Sequence, residues 1–316
     1  MSGYQYQLSR VSPAVFMSVP LTRPFFGACF GAWCSRLRAS TPVVLLAIAL
    51  CGCSINLGSL SSSPEREEPA RLTPSSNIAA LTEATRNNPD DPQAYNARGL
   101  LLAQAGKTEE ALADFNKAIS LDANYGQAFA NRGSIYRKAK RLDQAMADYE
   151  RALVLDANYA PAWLGRGMIY KARNQVAQAL EDFNKAISLR PDNAEAYYNR
   201  GLLYQDEKQY QLAIDDFTSA NGLMPQQAEP LHARALSYLA LDKLKEAAAD
   251  LDEAVQSDPQ NGQIWITRGL AYERLGDKAK AAGSYNHAIN LRPRDEAARN
   301  GLARVGGRAG ESSDTF

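Results

Sequence analysis

Residues 160–193 read APAWLGRGMIYKARNQVAQALEDFNKAISLRPDN, and residues 194–227 read AEAYYNRGLLYQDEKQYQLAIDDFTSANGLMPQQ. Laid one over the other, they share Arg-Gly at Arg166-Gly167 and Arg200-Gly201, an aromatic at Trp163 and Tyr197, Ala179 with Ala213, Phe183 with Phe217, and Pro191 with Pro225. The phase continues in both directions. Arg-Gly returns at Arg98-Gly99, Arg132-Gly133 and Arg268-Gly269, and as Arg234-Ala235, each pair 34 residues after the last. Six units therefore fill residues 92–125, 126–159, 160–193, 194–227, 228–261 and 262–295. With the small residue of that pair numbered 8, positions 20 and 27 are alanine in every unit. Position 24 is Phe115, Tyr149, Phe183, Phe217, Leu251 and Tyr285, and position 32 is proline from the third unit onward.

This period and these residue types resemble the tetratricopeptide repeat over about two-thirds of the chain. The resemblance implies two antiparallel helices per unit and an all-α fold, a right-handed α-α superhelical solenoid of six repeats. Small residues at 8, 20 and 27 let helices approach closely, while the large residues at 4 and 24 fill the space left. Gly106, Asn174, Asp242 and Gly276 suit tight turns between the helices because they tolerate a left-handed backbone, and proline at 32 stops the second helix. Residues 77–91 match the second half of a unit and are expected to cap the N-terminal face, with 296–305 as a C-terminal capping helix made polar outside by Arg299 and Arg304. Residues 306–316 are expected to be a disordered tail.

Position 7 is arginine throughout, and position 23 is aspartate in five units but Ser284 in the sixth. With a turn near position 15, residues 7 and 23 face one another. The expected result is a bidentate structural ion pair in each unit, namely Arg98–Asp114, Arg132–Asp148, Arg166–Asp182, Arg200–Asp216 and Arg234–Asp250, broken at Arg268.

The first 53 residues differ in kind. All four cysteines lie there, at Cys29, Cys34, Cys51 and Cys53, so the repeats can form neither a disulfide nor a thiolate metal site. Arg36 and Arg38 precede a short apolar run at 43–50 and then Cys51-Gly52-Cys53. A basic flank, about eight apolar residues and a small residue before a cut form an export signal too short to span ~30 Å of hydrocarbon. Leu50-Cys51-Gly52-Cys53 resembles a bacterial lipobox, which implies acylation of Cys53 and a membrane anchor. Ser54 in place of Asp implies the outer membrane, with the body facing the periplasm. Residues 1–53 are thus read as an export segment and 54–76 as a flexible polar linker.

The 316 residues hold 35 basic and 35 acidic side chains, with no basic excess for nucleic acid. Gly106-Lys107-Thr108 lacks the first glycine of a phosphate loop, since residue 101 is leucine. His232 and His287 have no second histidine at metal spacing. No cofactor, metal or catalytic constellation is expected, and the chain reads as a non-enzymatic scaffold.

In the tetratricopeptide family a groove lined by positions 2, 5, 9 and 12 of the first helices, and often 6 and 13, reads partner proteins. Carried onto this chain, the candidate groove residues are Asn131, Arg137, Lys138, Leu164, Met168, Lys171, Tyr198, Asn199, Leu202, His232, Leu236 and Ile266. An apolar strip with a basic margin suits an amphipathic or extended peptide carrying some acid. The carboxylate clamp of heat-shock co-chaperones is absent, because no position 5 is lysine. The expected function is a protein–protein adaptor in a bacterial envelope, binding a peptide or helix, with a second copy of the chain also possible. The alternative is a chaperone-like holder in a secretion, polysaccharide-export or outer-membrane assembly machine.

Overall fold

The computed structural model describes residues 74–307, which fall in one compact unit. The expected export segment, Cys53, most of the expected linker and the expected tail from 308 lie outside the described residues. The order is α1 Pro74–Asn87, α2 Pro92–Gln104, α3 Thr108–Leu121, α4 Gly126–Lys138, α5 Leu142–Leu155, α6 Ala160–Ala172 and α7 Val176–Leu189. It continues with α8 Ala194–Asp206, α9 Tyr210–Leu223, α10 Ala228–Ala240, α11 Leu244–Ser257, α12 Gly262–Leu275, α13 Lys278–Leu291 and α14 Glu296–Arg304. There is no strand among the described residues. Each first helix packs on the second helix of its own unit and of the unit before, and touches the first helix of the next. No helix packs beyond its second neighbour in the chain, which is the contact pattern of a stacked solenoid.

The periodic residues make that stack. All twelve alanines at positions 20 and 27 are fully buried. A Cβ added at Gly99, Gly167 or Gly201 would come within 2.8 Å of the ring of Phe115, Phe183 or Phe217. The exception explains itself. Ala235 replaces glycine where the facing residue is Leu251, which has no ring to press into that space. The second helices end at Leu189, Leu223, Ser257 and Leu291, two residues before their prolines.

The helix-to-helix turn puts position 15 in the left-handed region every time, at φ 77° for Gly106, 59° for Lys140, 57° for Asn174, 59° for Lys208, 59° for Asp242 and 83° for Gly276. Four of these were expected from residue type; the two lysines were not. Their conformation is imposed by the reversal itself, since Arg141 N–H reaches back to the Tyr136 carbonyl at 2.8 Å and Gln209 to that of Tyr204.

The ends differ slightly from expectation. The N-terminal cap starts at Pro74 rather than 77, because proline is tolerated at the first position of a helix. Asp295 caps α14 by accepting from Ala298 N–H at 3.1 Å. Arg304 does not simply line the outside of α14; it folds onto α12, with Nε and Nη2 donating to the Glu273 carboxylate at 2.7 and 2.9 Å.

Candidate protein-binding surface

The position-7 arginines lie between the two helices of a unit and define the back of the surface. In the first five units Nε and Nη2 each donate to one oxygen of the position-23 aspartate at 2.7–2.8 Å. These aspartates are 1–7% exposed. The third nitrogen has a use that sequence reasoning missed. Nη1 of Arg132 and Arg234 donates to position 25 of the preceding unit, Asn116 at 2.7 Å and Thr218 at 3.0 Å. Arg200 does the same with Asn184. Nη1 of Arg98 donates to Thr85 of the cap at 2.7 Å. The guanidinium also lies over the aromatic residues at positions 4 and 11, as Arg166 does over Trp163 and Tyr170 at 4.8 and 5.6 Å. One arginine therefore joins three helices across a unit boundary.

In the sixth unit the bidentate pair is absent, but the arginine is not stranded. Arg268 Nη1 donates to Ser284 at 2.7 Å and Nε to Asp252, at position 25 of the fifth unit, at 2.7 Å. The carboxylate has moved from position 23 to position 25 of the previous helix. The signal was in the sequence, since position 25 is polar in every unit: Asn116, Glu150, Asn184, Thr218, Asp252 and Asn286.

The opposite side of the first helices carries the groove positions, and the structure divides them. Leu164 and Ile266 pack into the core, 8% exposed each, because position 5 faces the neighbouring first helix; these two are corrected from groove lining to packing. Asn131 and Asn199 are engaged internally. Asn131 Nδ2 donates to Asn96 at 2.8 Å, and Asn199 Nδ2 to the Glu195 carbonyl at 2.9 Å. Tyr198 is half-buried against Phe217. His232 Nε2 meets Thr267 Oγ1 at 3.0 Å. Since the Thr267 hydroxyl donates to the Gln263 carbonyl at 2.9 Å, Nε2 is the protonated nitrogen of a neutral ring, and burial lowers its pKa.

Position 9 stays open. Leu100, Leu236 and Leu270 are 39%, 40% and 38% exposed, and Met168 and Leu202 are half-buried. Beside this apolar strip stand Arg137 and Lys171, half-buried, and the exposed Lys138. Burial lowers the Lys171 pKa, opposed by the charge of Asp206. None of these three cations forms a salt bridge with a described residue. Among the described residues no group of three or more His, Cys, Asp or Glu could hold a metal, and no helix is long and apolar enough to cross a membrane.

A stack of helix pairs locked from behind and open along one face is the architecture of a helical-repeat scaffold. Models of the tetratricopeptide repeat match residues 78–128 and 232–297, 126–159 and 194–227, and a model described as TPR repeat matches 167–208. The chain is a tetratricopeptide repeat protein, a fold that serves as a scaffold for protein–protein interaction. No curated protein matches it. Among solved structures, PilF of Pseudomonas aeruginosa is similar at TM-score 0.62 and 21% identity, covering 71% of this chain and 99% of that one. PilW, described as a widely conserved type IV pilus biogenesis factor, is similar at TM-score 0.60 and 18% identity, covering 67% and 98%. The Cut9–Hcn1 structure of the APC/C is similar at TM-score 0.63 and 18% identity, covering 73% of this chain, which spans 46% of that one. At these identities the likeness is one of fold.

Proposed function

We propose that this chain is an adaptor of a bacterial envelope, exported through residues 1–53, acylated at Cys53, and holding a peptide or helix of a protein partner along its first helices. The observation that carries the groove is the run of leucines at position 9, of which Leu100, Leu236 and Leu270 remain about 40% exposed although the alanines at positions 20 and 27 and the large residues at position 24 are sealed. A lined-up apolar strip of this kind marks a surface that another molecule covers. The reading as an export signal rests on the basic flank, short apolar run and Cys53. PilW, which shares the fold, is described as a type IV pilus biogenesis factor, and pilus biogenesis is one setting we propose for such an adaptor.

The test has two parts. Labelling cells with a radioactive fatty acid should mark the protein, and Cys53→Ser should abolish the mark; label retained in that variant refutes the acylation site. Capture of proteins from solubilised membranes should lose its specific partners when Leu202, Leu236 and Leu270 become glutamate. An unchanged set of captured proteins would move binding to another face.

A further inference from the structure

Position 12 of the first helices differs in every unit: Ala103, Arg137, Lys171, Gln205, Leu239 and Glu273. The polar ones near the C-terminal end are satisfied inside the chain. Gln205 Nε2 donates to the Ala233 carbonyl at 2.9 Å and to Ser237 at 2.8 Å. The Glu273 carboxylate receives Arg304 in two bonds and the Tyr285 hydroxyl at 2.6 Å. Arg137 and Lys171, on the adjoining helices α4 and α6, form no salt bridge with a described residue. The Arg137 guanidinium meets the Tyr149 hydroxyl, which Ser134 also approaches, while its buried Nε has no acceptor, and Lys171 has only the charge of Asp206 near it.

The floor changes at the same place. Position 9 is Leu or Met in five units but Ser134 on α4, so the apolar strip gives way there to a polar recess. Tyr149 reaches under that recess because position 6 of α6 is Gly165, where any Cβ would fall inside the tyrosine ring. The junction at the C-terminal end is built alike, with Tyr285 passing beneath Gly301, and there the space next to the hydroxyl holds a carboxylate bound by arginine. The α4–α6 junction has the same tyrosine and glycine and two cations, but no described carboxylate bonded to either cation; Asp206 and Glu195 act on it only from α8.

We infer that the groove takes a partner peptide whose Asp or Glu side chain lies between Arg137 and Lys171, with apolar side chains continuing over Met168, Leu202 and Leu236. Placing carboxylate oxygens there gives both half-buried cations the charged acceptor that Glu273 gives Arg304, which offsets their desolvation. The side on which the acid lies follows from charge. Glu195 and Asp206 stand on α8, so an acidic residue is repelled from that side and favoured on the α4 side, beside Lys138. This deepens the groove reading above and rests on it.

The experiment selects displayed random dodecapeptides on the immobilised full chain, then measures recovered peptides by fluorescence anisotropy. The expected peptides carry an Asp or Glu followed or preceded by at least two apolar residues. Changing that acid to its amide, or changing the protein at Arg137→Gln with Lys171→Gln, should weaken binding roughly ten- to a hundredfold, the range of a charge-assisted hydrogen bond. Higher salt should weaken the wild type more than that variant. Arg137→Lys with Lys171→Arg should retain most of the affinity, which separates loss of charge from loss of fold. Recovered peptides without an acid, or equal binding by the Gln variant, overturn the inference and leave the apolar groove standing. Failure to enrich any peptide, or enrichment indifferent to Leu202→Glu with Leu236→Glu, removes the groove reading and this inference together.

Discussion

Position 7 of the first helices is arginine six times and makes the same bidentate pair in five of the six units, whereas position 12 of the same helices is six different residues in six different environments. The two positions are little more than one turn apart on one helix, yet face opposite tasks. In a stack that is close to one-dimensional, every boundary between units must be made again, so residues that make boundaries recur with the period. Residues that meet a partner touch it once each and are free to differ. Recurrence thus marks what holds the wall together; at position 12 the departure from it leaves Leu239 in the core and Gln205 and Glu273 bonded within the chain, with Arg137 and Lys171 left over for the proposed partner.

The largest effect should come from breaking the recurrent side. Asp148→Ala leaves Arg132 half-buried with Asn116 as its remaining bonded partner, and should cost about 3 kcal/mol or more of unfolding free energy in a urea titration. Replacing both residues, Arg132→Met with Asp148→Leu, should recover most of that loss. A single variant no worse than the double would mean that the pair is not coupled. Next in size is the displaced pair of the sixth unit. Asp252 is more exposed than the other aspartates, with 39% of its side chain accessible, but binds both Arg268 and the Tyr272 hydroxyl. Asp252→Ala should cost about 1 kcal/mol once solvent screening is allowed for. A loss equal to that at Asp148 would show that burial of the carboxylate does not set the scale.

How far these features could be read in advance follows the same division. The helix count, the sealed alanines, the ring facing each glycine and the position-7 to position-23 pairing were legible because one period places like residues in like surroundings. Three features were not. The third bond of Arg98, Arg132, Arg200 and Arg234 depends on how one unit sits against the previous one, which periodicity within a unit does not specify. Leu164 and Ile266 are apolar either way, and only the approach of successive first helices decides that position 5 is covered. Lys140 and Lys208 carry no preference for a left-handed backbone, so residue type hid a conformation that position alone determines.

That last case supplies a prediction that sharpens the comparison, since position 15 repeats in conformation though not in residue. Lys140→Gly or Lys208→Gly should stabilise the chain by up to about 1 kcal/mol, because glycine adopts φ near 59° without the steric cost an L-residue bears. The same change at a helical position such as Lys185 should destabilise instead. On the variable side, Leu236→Glu with Leu270→Glu should change unfolding free energy by no more than about 0.5 kcal/mol each, as expected for exposed positions. A cost comparable with that at Asp148 would place these leucines in the core and not on a free face.

The smallest expected effect concerns His232, which occupies position 5, where the two sides of the comparison meet. Its ring is neutral, donates through Nε2 to Thr267, and has its pKa lowered from 6.5 by burial. The unfolded chain therefore binds the proton more readily than the folded one below that value, and the stability contributed by the neutral ring is present above about pH 6.5 and is lost as pH falls toward the folded pKa. The first unit makes the equivalent link without a titrating group, through Asn96 and Asn131 at the same 35-residue separation. His232→Asn should keep the link and remove the proton. Between pH 7 and pH 5 the unfolding free energy of the wild type should therefore decline more than that of the variant. Parallel curves would mean that the histidine is accommodated equally well in both charge states, and that position 5 belongs to the open groove and not to the junction between helices.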